Sequence, residues 1–190
     1  MKKPMLIISA AALLANLAFA LEIDTNLAKI DITAFKMANK TAVPSTFKEV
    51  QFNFPKSSGS ISEILTGATA SIDLNMIDTF KNPIRDKNIK DKFFSHLASQ
   101  NVESKIISVS GDDKAGEVKM SVKFNNVEKE IPMKYEVKDS KLIASGEIDF
   151  NSDFNAKDAF EKFSTDKIIA GLHSKKTWSN IIVGFEVPVK

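Results

Sequence analysis

Few residues of this chain are placed to do chemistry. There are two histidines, His96 and His173, and no cysteine. Neither histidine has a second histidine or a carboxylate at metal-ligand spacing, so both read as ordinary surface or mouth residues. The lack of cysteine excludes disulfides, thiolate metal sites, a cysteine nucleophile and a lipid-modified N-terminal cysteine. No Gly-x-Ser-x-Gly elbow, P-loop or dinucleotide fingerprint occurs, and no serine sits beside a base in a recognisable pattern. Asp112-Asp113 is too isolated for a calcium loop. Asn39-Lys40-Thr41 fits the glycosylation triplet, which carries no meaning in a chain exported by a bacterial-type route. The expectation is therefore no catalytic residue, no metal and no cofactor. An enzyme acting on a lipid would need a buried acid–base pair with perturbed pKa values, and the sequence offers none.

The polar residues that stand out are Arg85 and Asp86, with Asn88 close by. A guanidinium can grip a phosphate or carboxylate with two parallel hydrogen bonds. The competing role for these residues is an ion pair that pins the helix to the barrel.

The elements that would position them show period-2 alternation, the mark of strands with one dry and one wet face. Ala68, Ala70, Ile72, Leu74 and Met76 alternate with Thr69, Ser71, Asp73 and Asn75. Val118 to Phe124 alternates likewise, turns at Asn125-Asn126, and returns through Ile131, Met133, Tyr135 and Val137. Asp139-Ser140 turns the chain again into Leu142, Ala144, Gly146, Ile148 and Phe150. Ile181, Val183, Phe185, Val187 and Val189 close it. Weaker strands lie around Ile30-Ile32 and Val50 to Phe54. A blurred one runs from Val102 to Val109, with Gly111-Asp112-Asp113 as its exit turn. Two segments read as short helices. One starts at Asn82-Pro83, a capping side chain before a proline, and runs to Phe94. The other runs from Asn155 to Ser164, with Asp153 or Asn155 as its cap.

About eight antiparallel strands with one dry face predict an all-β fold, an eight-stranded lipocalin-like barrel with two short helices across an end. Closure removes edges that invite aggregation. Such a barrel is either filled by its own side chains or holds one small ligand, and the pattern alone leaves both open. Its inward set is apolar, with no charge on the strongest strands, so a hollow interior suits an apolar chain.

Lys2 and Lys3 precede an apolar run from Met5 to Phe19 that ends in Ala18-Phe19-Ala20, a small-x-small cleavage pattern. Residues 1–20 read as a signal peptide and 21–190 as one exported domain, periplasmic or secreted. Removing the two lysines takes the formal net charge from +2 to zero. With no dense basic stripe, no nucleic-acid partner is expected.

Ile77-Asp78-Thr79, Asn82, Arg85-Asp86, Ile89 and Phe93-Phe94 resemble the YceI-like family, in which a strand ending Ile-Asp-Thr leads to an Arg-Asp helix and then Phe-Phe. Ile23-Asp24, Phe47-Lys48, the paired strands from Gly116 to Val137 and the segment Asp149 to Phe154 follow in the family's order. The resemblance implies a periplasmic lipocalin-like barrel, some members of which bind a polyisoprenoid or another long amphiphile. Two family histidines fall at Leu27 and Asn88, so a histidine gate is not carried over.

The expected function is a periplasmic carrier holding an isoprenoid, isoprenoid quinone or fatty acyl amphiphile, without catalysis. The alternative is a structural or partner-binding barrel with a filled core. The expected wall of the tail site is Ile32, Phe52, Phe54, Ile72, Leu74, Val122, Phe124, Met133, Tyr135, Ile148 and Phe185. Phe93 and Phe94 are placed at the entrance and Trp178 at one end. The polar end falls near Arg85 and Asn88. The partners expected are a lipid-like small molecule, a homodimer or a membrane partner protein.

Overall fold

The structure, a computed structural model, describes residues 20–80 and 82–190. The segment read as a signal peptide, up to residue 19, lies outside the described residues. The elements in chain order begin with β1 (Leu21–Glu22), β2 (Lys29–Lys36), β3 (Thr41–Phe47), β4 (Val50–Asn53), β5 (Ser58–Gly59) and α1 (Ile61–Leu65). There follow β6 (Thr69–Asp73), β7 (Ile77–Asp78), α2 (Pro83–Lys92), β8 (Asn101–Gly111), β9 (Ala115–Phe124) and β10 (Val127–Lys138). The chain ends with β11 (Lys141–Asp149), α3 (Lys157–Thr165), α4 (Lys167–Leu172) and β12 (Asn180–Pro188).

Ten strands form one antiparallel sheet in the order β4-β6-β8-β9-β10-β11-β12-β2-β3-β7. The two ends of this order meet. β3 and β4 are one run of chain broken at Lys48 and Glu49, and β6 and β7 are one run broken by a 3-10 turn, Leu74–Met76. Val50 pairs with Ile72 on one side of the break and Phe47 with Ile77 on the other. The Lys48 N–H donates to the Met76 carbonyl across it at 2.9 Å. The sheet therefore closes on itself as eight staves, the expected barrel, and its long edges are satisfied. β1 and β5 make a separate two-stranded ribbon.

Local chemistry explains the elements. Both hairpin turns place two non-glycine residues at positive φ, 51° and 61° at Asn125 and Asn126, and 50° and 57° at Asp139 and Ser140. That is the twist-matching type I′ geometry. The Ala68 to Met76 alternation is not one strand. Asp73 accepts the Asn75 N–H at 2.8 Å and coils the next three residues into the 3-10 turn. The blur in β8 is a bulge, a register shift between Ile106 and Ser108 that turns Ile107 outward.

Among the described residues there are four α-helices where two were expected. α2 starts as expected: Asn82 Oδ1 accepts the Arg85 N–H at 2.9 Å and Pro83 opens the helix. α3 does not. Its cap position is Ala156, with no side-chain bond. Asp153 instead accepts the Asp149 N–H and the Lys129 ammonium, at 2.8 and 2.5 Å. The unexpected helices are too short to show an apolar period but carry clear caps. Ser60 and Glu63 form a reciprocal capping box on α1, and Asp166 accepts the Ile168 and Ile169 N–H groups of α4.

The barrel has a sealed end and a helical end. α1 plugs the first. Ile61, Ile64 and Leu65 have no exposed surface, and the Ile61 N–H donates to Asp113 in the β8–β9 turn at 2.8 Å. The second end is covered by α2, α3 and α4. Phe93 lies at its centre, with ring centroids 4.9 Å from Phe150, 5.6 Å from Phe163 and 6.3 Å from Phe160. The Lys92 ammonium reaches Asp166 at 2.8 Å and ties α2 to the start of α4.

Candidate ligand-binding cavity

The inner faces of the staves do not meet. They enclose a cavity of about 470 Å³ that opens at the helical end. That volume lies within the roughly 300–1,000 Å³ usual for ligand sites. The wall is almost wholly apolar and takes in most of the chain's phenylalanines.

Its small residues decide where the space lies. Ala34 on β2, Ser45 on β3, Ala70 on β6 and Ser104 on β8 all line it, with Ala68 just before β6. Ala144 and Gly146 on β11 do not. Gly146 is small because a Cβ there would stand 2.6 Å from the Pro132 carbonyl oxygen, so it serves close strand approach.

All but one of the residues expected at the site line this cavity. Ile32, Phe52, Phe54, Ile72 and Leu74 contribute from one arc of the barrel, and Val122, Phe124, Met133, Ile148 and Phe185 from the other. Phe93, Phe94 and Trp178 line it at the helical end, with Arg85 and Asn88. Tyr135 is the exception. It is buried at the sealed end, where its hydroxyl donates to the Asp112 carbonyl at 2.6 Å. Burial first, then Asp112 and Asp113, push its pKa up. Its ring also packs where a Cβ on Gly116 would stand, 2.7 Å from Tyr135 Cε1. It is a floor residue, correctly read as inward but below the cavity.

Trp178 is a rim residue and does not plug the barrel. Its Nε1–H donates to the Met37 carbonyl at 2.8 Å, and the Lys40 and Lys176 ammonium groups each lie 4.4 Å from its ring centroid. Lys129 corrects the expectation of an uncharged inner face. It shares the inward phase of β10 with Ile131 and Met133, and its ammonium meets Asp153 at 2.5 Å beside the helical end.

Arg85 and Asp86 do not pair. The Asp86 carboxylate is buried and accepts the Thr79 N–H at 2.9 Å and the Thr79 hydroxyl at 2.5 Å. Asp86 therefore does the pinning, and the guanidinium of Arg85 faces the cavity mouth. Sequence reasoning missed several wall residues. Ala34 and Lys36 continue the Ile30-Ile32 alternation, which a longer reading of β2 would have found. His173, read from the sequence as an ordinary surface or mouth residue, lines the cavity just after an unexpected helix. Its Nδ1 lies 2.8 Å from the Thr177 hydroxyl, and its pKa is lowered by burial first and then by Lys36 and Arg85.

The mouth is rimmed by exposed apolar side chains, Ile84 at 75% and Leu172 at 54% exposure. Among the described residues no cluster of histidine, aspartate and glutamate is placed to hold a metal ion.

No family model and no curated protein matches the sequence. The fold does have solved counterparts. A polyisoprenoid-binding domain from Saccharophagus degradans, implicated in plant cell wall breakdown, superposes with a TM-score of 0.58 at 13% identity, covering 90% of this chain and 98% of that one. BcnA of Burkholderia cenocepacia gives 0.56 at 12% identity, covering 89% and 99%. The YceI protein of Campylobacter jejuni gives 0.53 at 18% identity, covering 79% and 86%. The fold is therefore YceI-like.

Proposed function

We propose that this chain is an exported, non-catalytic carrier that holds one long apolar molecule inside its barrel. The observation that carries the reading is the cavity: an apolar space of about 470 Å³ inside a closed barrel, opening at a mouth that holds Arg85 and Asn88. The fold shared with a polyisoprenoid-binding domain supports it. The N-terminal pattern of Lys2, Lys3 and Ala18-Phe19-Ala20 supports export to the periplasm or beyond.

The energetics favour a long tail. Each methylene moved from water into such a wall contributes about 0.8 kcal/mol. Association itself costs roughly 4–15 kcal/mol in lost freedom. A short chain cannot offset that loss, whereas an isoprenoid or fatty acyl chain can. The work is desolvation and shape, and no bond is made or broken. The polar end stays at the mouth, where Arg85 and Asn88 supply hydrogen-bond donors beside an otherwise largely apolar wall.

The test is to purify the mature protein from a bacterial periplasm, extract it with organic solvent and identify the extract by mass spectrometry. Delipidated protein is then titrated with a fluorescent long-chain probe. A stoichiometric apolar amphiphile in the extract and saturable probe binding are expected. A clean extract together with no probe binding removes the carrier reading.

A further inference from the structure

We infer that the cavity mouth selects long-chain molecules ending in an oxyanion, a carboxylate or a phosphate monoester, with Arg85 and Lys36 as its charge partners. The inference rests on the carrier reading and adds the chemical class of the ligand.

The cavity wall carries two permanent cations and no carboxylate. Composition does not explain this, because the chain has nearly equal numbers of basic and acidic residues. Several lysines elsewhere meet a carboxylate, Lys56 at Glu63, Lys92 at Asp166 and Lys129 at Asp153, whereas no acid lines this cavity. At the mouth the nearest acid in sequence, Asp86, is turned away and spent on Thr79. Arg85 then presents a guanidinium with no carboxylate partner among the described residues.

Lys36 reaches the same opening from the other side. It ends the inward row Ile30, Ile32, Ala34 on β2, forms a β-bridge with Thr177 and lines the cavity with His173. His173 reports on the pair. Its imidazole lines the cavity, and burial first, then Lys36 and Arg85, hold its pKa below the ordinary histidine value of 6.5. Two cations acting on one half-buried imidazole place all three groups around one opening.

The Coulomb attraction between unit charges strengthens as water is excluded. An anionic head drawn to this rim by its buried tail would gain charge-assisted hydrogen bonds from Arg85. A neutral alcohol accepts a hydrogen bond from Arg85 without the attraction of opposite charges or a second parallel bond, and an ammonium head is repelled. A free anion has no tail to bury and no reason to stay.

The test is displacement of a fluorescent long-chain probe from delipidated protein by competitors of matched chain length: an acid, an alkyl phosphate, an alcohol and an amine. The acid and phosphate should bind about ten- to a hundredfold tighter than the alcohol, the range of a hydrogen bond to a charged group. Arg85→Gln and Lys36→Gln should each shrink the acid-to-alcohol ratio. Lys105→Gln, on the exposed side of β8, should leave it unchanged. Bound acid should also raise the NMR titration midpoint of His173, with His96 as the internal reference, and bound alcohol should not. Equal affinities for acid and alcohol, or a ratio untouched by both mouth variants, overturns the inference while leaving the carrier reading intact. Displacement of the probe by acetate or inorganic phosphate alone overturns it too, since the site would then serve free anions. If no competitor and no probe binds, the carrier reading itself falls and takes this inference with it.

Discussion

Ala70→Phe separates a hollow barrel from a filled one. Ala70 lies on the inner face of β6, paired with Phe52 on β4 and Ser104 on β8, and all three residues line the cavity. Adding a ring to a packed core forces side chains off their rotamers and costs about 1–3 kcal/mol. Here the ring enters space that already exists. Burying a phenylalanine side chain contributes about 1.5–3 kcal/mol, and fixing its rotamer offsets roughly 1 kcal/mol of that. The ligand-free variant should therefore be as stable as the wild type or up to about 2 kcal/mol more stable. The same ring takes room from the tail. Excluding two or three methylenes at about 0.8 kcal/mol each weakens binding by about 2 kcal/mol, or roughly thirtyfold. Urea denaturation of delipidated protein measures the first effect and probe titration the second. A variant destabilised by more than about 2 kcal/mol with unchanged probe affinity refutes the reasoning, because Ala70 would then face packed atoms and not the void.

Asp86→Asn keeps an acceptor but loses charge-assisted hydrogen bonds to the Thr79 N–H and hydroxyl, so it should cost about 1–3 kcal/mol in urea and speed amide exchange across α2. Tyr135→Phe removes the 2.6 Å bond to the Asp112 carbonyl and should cost about 0.5–1.5 kcal/mol, while probe affinity stays the same. A loss of affinity there would show that the cavity reaches the barrel floor. Glu63 is held at a pKa of about 2 against its ordinary 4.5, mainly by the Lys56 ammonium and the Ser60 N–H. A lowered carboxyl pKa means stability that is present above 4.5 and lost as pH falls from 4.5 toward about 2. The difference in urea midpoint between wild type and Glu63→Gln should follow that window, and a difference independent of pH would assign the effect to the loop and not to the charge.

The strands were legible because their interior is uniformly apolar and period 2 survives wherever the ladder is regular. β9 to β12 read cleanly, and their turns, Asn125-Asn126 and Asp139-Ser140, are residues that accept positive φ. Legibility failed where the ladder departs from regularity. The alternation through Leu74 and Met76 continues by chance over a 3-10 turn, since side-chain type alone does not record that Asp73 has captured the Asn75 N–H. α1 and α4 hid because five or six residues cannot display a helical period, although Ser60 with Glu63 was a readable capping box. Tyr135 shows the limit for the site. Alternation says which way a side chain points, but not how far along the barrel the floor stands. The floor is α1, one of the helices the pattern did not reveal.

The irregular places and the empty places overlap in part, which bears on how a barrel of this size stays hollow. The break between β3 and β4, the 3-10 turn between β6 and β7 and the bulge in β8 all lie on one arc. That arc also carries Ala34, Ser45, Ala70 and Ser104 facing the cavity. On β11, where the ladder is regular, the small residues Ala144 and Gly146 are absent from the wall, and a Cβ at Gly146 would press against neighbouring backbone. Small residues line the cavity on the irregular staves, at Ser45, Ala70 and Ser104, and also on the regular staves β2 and β12, at Ala34 and Gly184. An eight-stranded barrel has room for its own side chains or for one small ligand, so small inward residues tip it toward the second. The large residues of β9 to β12, among them Phe124, Met133 and Phe185, face the irregular arc across the cavity, and the wall ends at Lys36 and the start of α2, where the cavity opens.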